Sequence, residues 1–254
     1  MRVKRLIDGR ALINLGCGTR THWAWNNLDS SPYARIRRHR SVAVFLKRVG
    51  VLSTLRFKRL EAMDPDIIYW DLRRGIPFED QTFDIVYHSH LLEHVDRDQA
   101  RKFLKECRRV LKSNSVLRVV VPDLESLVHQ YLGAVAALDK REEEADVRHR
   151  QAVCELFEQM VRKEAAGIAM QRPWVRVLER LLRRGGSAAQ AGELHRWMYD
   201  RHSLGSLLSD VGFREIKRVD AFVSRVEGWT SFNLDTEPDG SIYKPNSLYM
   251  EAIK

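Results

Sequence analysis

The 254-residue sequence holds only three cysteines, Cys17, Cys107 and Cys154. They are odd in number and scattered, which argues against a disulfide framework and fits a reducing cytoplasm. Nothing pairs them at zinc spacing. No apolar run reaches the roughly 18 residues of a membrane span. The opening stretch, M-R-V-K-R-L-I-D-G, is basic but lacks the apolar core of a secretory signal. No internal repeat and no low-complexity tract is found. Acidic residues are short in supply: 34 Asp and Glu face 43 Lys and Arg, for a net charge of +9. Acidic partners follow as a class: nucleic acid, anionic lipid or a phosphorylated substrate. What is present, 44% hydrophobic and 30% charged residues, suits a folded domain with a core.

The stretch Ala11–Gly18, A-L-I-N-L-G-C-G, organises the rest. Leu12, Ile13 and Leu15 predict a short buried strand, and Gly16 and Gly18 a tight turn directly after it. Glycine lets the backbone turn sharply and lets a ligand approach with no Cβ in the way. A nucleotide-type pocket over this turn is one reading; a glycine turn with no ligand is the other. Trp25–Asp29, W-N-N-L-D, reads as a second strand ending on Asp29, eleven residues after Gly18. A carboxylate there can accept hydrogen bonds from both hydroxyls of a ribose, or can merely close the turn into Ser30-Ser31-Pro32. Only six residues separate Gly18 from Trp25, whereas a parallel crossover normally takes about a dozen. The usual first helix must be cut to about a turn, or lost.

Tyr33–Leu60 is basic and helical in pattern, a crossover with a solvated basic face or a surface for an acidic ligand or membrane. Ile67–Trp70, Phe83–His88 and Ser115–Val121 predict strands three to five, with Gln99–Leu111 helical before the last. Leu124–Leu138 reads as a helix. Residues 139–194 are charged, carry no strand signal and are expected to form a helical insertion within a single domain spanning 1–254. Inside it, Pro173–Arg184 is a compact amphipathic unit, with Trp174, Val177, Leu178 and Leu181 on one side and arginines around the other. The insertion is the candidate lid or partner surface. Asp200 predicts the cap of a helix over Arg201–Asp210, and Gly212 its stop. Phe213–Val219 and Ser247–Ile253 are the last strands.

Strands alternating with helices after a glycine turn predict an α/β fold with a doubly wound sheet. Such a frame takes dinucleotides or S-adenosylmethionine. The dinucleotide fingerprint wants a third glycine three residues after the second and an acidic residue about twenty residues on. Thr21 stands at the first of these positions, and Asp29 comes too early for the second. The pieces I-N-L-G-C-G, N-N-L-D, W-D-L-R-R-G-I-P-F-E-D-Q-T-F-D, Y-H-S-H-L-L-E-H and E-C-R-R-V-L-K-S-N-S-V-L-R-V-V-V-P-D follow one another over residues 11–123. Together they resemble the class I S-adenosylmethionine-dependent methyltransferases, especially the methyltransferase type 11 group. H-R-W-M-Y-D and S-L-Y-M-E-A resemble relatives that sit among polysaccharide and cell-envelope genes.

The resemblance implies a Rossmann-like, mostly parallel seven-stranded sheet ordered 3-2-1-4-5-7-6 with the last strand antiparallel, and S-adenosylmethionine as cofactor. It implies that Leu15, Gly16, Cys17 and Gly18 underlie the methionine part. Asp29 then holds the ribose, Asp71 and Leu72 recognise adenine, and His88, Ser89 and His90 end strand four beside the methyl group. Two positions depart from the family. The short first connection leaves the methionine carboxylate to Arg20, and the usual P-G-G turn before strand five is Ser113-Asn114-Ser115.

Methyl transfer is an in-line displacement from a sulfonium, and alignment can contribute about 7–11 kcal/mol. A hydroxyl acceptor also gains about 10²–10⁴-fold from a base. His90 is the candidate base, with His195 and Tyr199 as acceptor-side candidates. Glu93, His94 and His202 could also carry a proton, and Glu93 and His94 are expected to start a helix facing the cofactor. After strand four there is neither the [N/D]-P-P-[Y/F] of many nitrogen methyltransferases nor the cysteine nucleophile of 5-methylcytosine enzymes. That favours an oxygen of a small molecule, a glycan or a lipid-linked sugar, and makes nucleic acid a less favoured partner. Two other readings stay open. One is a cofactor-binding or interaction module without catalysis. The other is a zinc hydrolase, because His90-Leu91-Leu92-Glu93-His94 fits H-x-x-E-H. That chemistry needs both histidines on one helix and a third ligand downstream, and His90 directly follows a strand, so no metal is expected. The basic helices leave room for peripheral contact of a cytoplasmic protein with an anionic membrane.

Overall fold

Seven strands form one sheet in the order β3-β2-β1-β4-β5-β7-β6. The computed structural model describes residues 1–37, 39–50, 52–160 and 195–254. The strands are β1 (Leu12–Leu15), β2 (Asn26–Asp29), β3 (Ile68–Tyr69), β4 (Phe83–Ser89), β5 (Leu111–Pro122), β6 (Arg214–Val219) and β7 (Ser247–Ile253). Pairings from β3 through β5 are all parallel, and β7 runs antiparallel to both β5 and β6. This is the order that the sequence resemblance implies.

Alternate residues of the central strands enter different cores, as the period of two demands. Ile13, Leu15 and Val86 pack with Leu104, Cys107, Leu204 and Leu208. Those partners come from α4 (Arg97–Val110) and from the helix Arg201–Val211, the last α-helix among the described residues. Leu12, Ile85 and Tyr87 pack on the opposite side with Trp25, Trp229 and Leu234. There the cover is aromatic: Trp25, Tyr87, Trp229 and Phe232 meet edge-on or tilted, with centroids 5.2–6.2 Å apart. Arg118 of β5 is buried beneath them, paired with Asp235 and Glu251 at 2.8 Å each, its guanidinium 4.4 Å from the centre of the Trp229 ring.

The connection from β1 to β2 contains no helix, as its length requires. The crossover from β2 to β3 carries α1 (Pro32–Arg37), α2 (Arg40–Arg48) and α3 (Thr54–Ala62). After β5, α5 (Leu124–Asp139) and α6 (Ala145–Met160) pack on each other, and α6 lies in the segment expected to be a helical insertion. The amphipathic unit Pro173–Arg184 lies outside the described residues. The helix Arg201–Val211, α7 here, starts as expected. Asp200 accepts from the amides of His202 and Ser203, and Gly212 closes the helix at φ 95°.

Two local expectations are corrected. Glu93 and His94 do not start a helix: Leu92–His94 is an isolated 3₁₀ turn, and α4 begins at Arg97 behind an Asp96 cap. Ser113-Asn114-Ser115 is not a turn ahead of β5 but a bulge inside it. Pairing runs Phe83 to Leu111 and then Ile85 to Val116, and Asn114 takes φ 61°. No helix among the described residues is long and apolar enough to cross a membrane.

Candidate active site at the carboxyl ends of β1, β2 and β4

Gly16 and Gly18 both take positive φ, 67° and 54°. At Gly16 a Cβ would stand 3.0 Å from Leu91 Cδ1, so the turn packs directly on the segment that follows β4. Around Gly18 there is open space. The amide of Gly18 donates to Asp29 Oδ2 at 2.8 Å, and the amide of Ser31 donates to Oδ1 at 2.6 Å. Asp29 thus ties the glycine turn to the end of β2. A carboxylate has about four acceptor positions, so two remain for donors from a ligand.

Two asparagines replace the missing helix as the support of this connection. Asn14 Nδ2 donates to the Arg20 carbonyl at 2.8 Å and to Asn27 Oδ1 at 3.3 Å. Asn27 Nδ2 donates to the His22 carbonyl at 3.1 Å. Arg20 is ion-paired with Glu237 and stacks 3.6 Å from the centre of the Tyr243 ring, two residues of the β6–β7 connection that the sequence reading did not single out.

Asp71 caps the 3₁₀ turn Leu72–Arg74 at the end of β3. Its carboxylate accepts from Arg73 Nη2 at 2.7 Å, and that guanidinium holds it below its ordinary pKa. The loop behind it is fixed to α4. Glu106 accepts from the Ile76 amide at 3.0 Å, and Arg109 donates to the Ile76 and Phe78 carbonyls at 2.8 Å.

His88 is fully buried within β4 and meets Phe103 edge-on at 5.1 Å. Neither of its ring nitrogens has a hydrogen-bond partner among the described residues, and burial lowers its pKa to about 4, so the ring is neutral. Ser89 ends the strand, half-buried.

His90 takes φ 49° just past the strand. Its Nε2 is 2.9 Å from Ser247 Oγ, and its Nδ1 is 3.2 Å from Glu93 Oε1. Burial lowers its pKa, and the Glu93 carboxylate works the other way. Glu93 has no exposed surface. Burial tends to raise its pKa, but His90 and His94 together bring it below the usual carboxylate range, and it is ionised.

His195 arrives from far along the chain. The Arg196 amide donates to the Glu93 carbonyl at 2.7 Å, which lays the returning chain on the 3₁₀ turn. The His94 and His195 rings are 4.9 Å apart. Tyr199 bridges to Asp123, and its hydroxyl is buried without a partner among the described residues. Burial, with the Glu93 charge adding to it, pushes that hydroxyl up to about 12. His90, Glu93, His94 and His195 are therefore one cluster. Ser247, which holds His90, was not singled out by the sequence reading. His90 and His94 do not share a helix, so the arrangement that an H-x-x-E-H hydrolase needs is not built.

Residues 14–119 match a family model described as a methyltransferase domain. An uncharacterized protein of Methanocaldococcus jannaschii is 44% identical over 55 residues, a stretch that spans 22% of this chain and only 23% of that relative. Among solved structures, the chain is similar to an S-adenosylmethionine-dependent methyltransferase of Thermotoga maritima, titled a possible histamine N-methyltransferase. Identity is 14%, coverage 98% of this chain and 84% of that one, and the TM-score 0.43. A protein of Pyrococcus horikoshii gives 14% identity, 97% and 83% coverage, and a TM-score of 0.46. The matched region runs from β1 into β5 and so takes in the glycine turn, both acidic strand ends and the rim from His90 to His94. Residues 14–119 thus carry a methyltransferase-domain match, and the sheet around them has the strand order that the resemblance to class I S-adenosylmethionine-dependent methyltransferases implies.

Proposed function

We propose that the protein methylates an oxygen of a small molecule or glycan, such as a lipid-linked sugar of envelope or polysaccharide assembly. The observation that carries the reading is His90, held at the end of β4 between Glu93 at 3.2 Å and Ser247 at 2.9 Å. S-adenosylmethionine, when bound, supplies a methyl group on a sulfonium. The chain's residues bind and orient. The glycine turn and Asp29 receive the methionine and ribose parts, Asp71 and Leu72 the adenine, and Arg20 the carboxylate. An acceptor hydroxyl taking the place of Ser247 at His90 Nε2 gives its proton to that nitrogen as its oxygen gains the methyl. Bound there, the cofactor would supply the methyl group and would keep the electron pair of the S–C bond on its sulfur.

The test is turnover against glycan and lipid-linked acceptor pools, followed by mass spectrometry. His90→Ala is expected to lower kcat by about 10²–10⁴-fold while leaving the affinity for S-adenosylhomocysteine unchanged. If S-adenosylhomocysteine binds but no acceptor pool is methylated, the chain is a cofactor-binding module without catalysis. A cytoplasmic location with peripheral contact to anionic membrane belongs to the same reading. It is supported by the net charge of +9 and by α2, which exposes Val42 and Phe45 among Arg40, Lys47 and Arg48, with Val49 exposed just after it.

A further inference from the structure

We propose that Glu93, His94 and His195 form a binding site for one divalent transition-metal cation of the zinc class. One ligand atom of each lies within 4.8 Å of the other two. Two imidazoles and a carboxylate are a donor set suited to zinc and similar first-row cations. Zinc holds its donors at about 2.0–2.2 Å, so the three side chains need only close on a common point by small rotations.

The Glu93 carboxylate is the second observation that points to a cation. It has no exposed surface, and neither oxygen has a hydrogen bond of good geometry among the described residues. Its ion-pair neighbours there are imidazoles alone, His90 at 3.2 Å and His94 at 3.9 Å. A buried carboxylate without a cationic partner is costly, and a dication between it and two imidazoles removes that cost.

The outer partners also fit. His195 Nδ1 is 2.6 Å from the Gln159 carbonyl, so that nitrogen carries the proton and Nε2 keeps its lone pair. A ligating histidine usually spends its other ring N–H on such a carbonyl, and a ligating carboxylate is itself hydrogen-bonded, as His90 is placed to do for Glu93. Leu91 packs on the Gly16 turn, which sets the cluster beside the cofactor floor. Three protein ligands leave an open position for an oxygen, whose proton the cation makes easier to lose. That last role, unlike the cation site, rests on the proposed oxygen methylation.

The full-length protein, stripped with a chelator, is titrated with Zn²⁺ and with Co²⁺ as a spectroscopic probe, and bound metal is counted by elemental analysis. One cation per chain is expected, with a visible Co²⁺ spectrum of nitrogen and oxygen ligands. His94→Ala and His195→Ala should each weaken uptake at least tenfold, and the exposed His202→Ala should leave it unchanged. His195→Gln keeps the bulk of the ring and guards against a folding defect, which circular dichroism also checks. Folded wild-type protein that takes up no stoichiometric cation, or wild-type uptake by both alanine variants, overturns the site. Calorimetry with S-adenosylhomocysteine on the same samples keeps the two readings apart. Product binding without cation uptake removes this proposal alone, and cation uptake without product binding removes only the methyl-transfer reading.

Discussion

Asp29 has one observed duty and one proposed duty, and the same substitution tests both. It accepts from the amides of Gly18 and Ser31, and it lies where a ribose is expected. Asp29→Ala is expected to weaken S-adenosylhomocysteine binding by about 1–3 kcal/mol, the range for hydrogen bonds to a charged group. Calorimetry checks this, and equal affinities would take Asp29 out of the site. A thermal melt of the same variant should also fall, because two loop amides lose their acceptor. His88 and His90 show how differently two histidines two positions apart can be used. His88 points into the α4 side and packs against Phe103, whereas His90, turned by a positive φ, meets Ser247 and Glu93. Strand periodicity alone would put both on one face.

At the scale of elements, the loop from Asp71 to Phe78 is set by α4. Glu106 accepts from the Ile76 amide and from Arg109, which also reaches two loop carbonyls. Hydrogen bonds from Arg109 hold the Glu106 carboxyl below its ordinary value of 4.5. A depressed carboxylate contributes stability that is present above the unfolded value and is lost as the pH falls through the folded one. Glu106→Gln should therefore cost stability at neutral pH and cost nothing at pH well below 4.5. Its side chain is 31% exposed, so solvent screening keeps the loss to about 1 kcal/mol. Chemical denaturation at both pH values measures it; an equal loss at acid and neutral pH would mean that packing, not charge, anchors the loop. The turns and caps of these elements were legible in advance: Asp200, Gly212 and the glycines after β1 stand where the spacing put them. The β5 bulge was not, because β-branched residues and Ser-Asn-Ser read locally as a strand and a turn. Only pairing with β4 shows that Leu111 already belongs to the sheet.

At the scale of the molecule, the aromatic layer under Trp229 depends on one buried charge. Arg118 is paired with Asp235 and Glu251, and all three side chains are at most 2% exposed. Arg118→Ala strands two buried carboxylates and is expected to cost about 3–5 kcal/mol, read by denaturant unfolding. A loss under 1 kcal/mol would show that water replaces the guanidinium. The surface makes a separate prediction. Basic residues near an anionic membrane contribute about 1 kcal/mol each, screened by salt. The protein should co-sediment with anionic vesicles at low salt and release at high salt, and Phe45→Ser, at a ring 62% exposed, should weaken it. Absence of binding at low salt would end the membrane reading.

The sequence by itself determined the alternation of strands and helices, the helix caps, the loss of the first crossover helix and, through its five ordered motifs, the strand order. These are local properties: apolar periodicity, glycine at positive φ and short-range hydrogen-bond partners are written within a few residues of where they act. Tertiary structure alone decided which distant side chains share a site. Arg20 meets Glu237, His90 meets Ser247, and His195 lies against Glu93 and His94 across a hundred residues of chain. No spacing rule reaches that far, because such contacts are set by how the sheet orders its strands and where the returning chain finds free carbonyls, here that of Glu93.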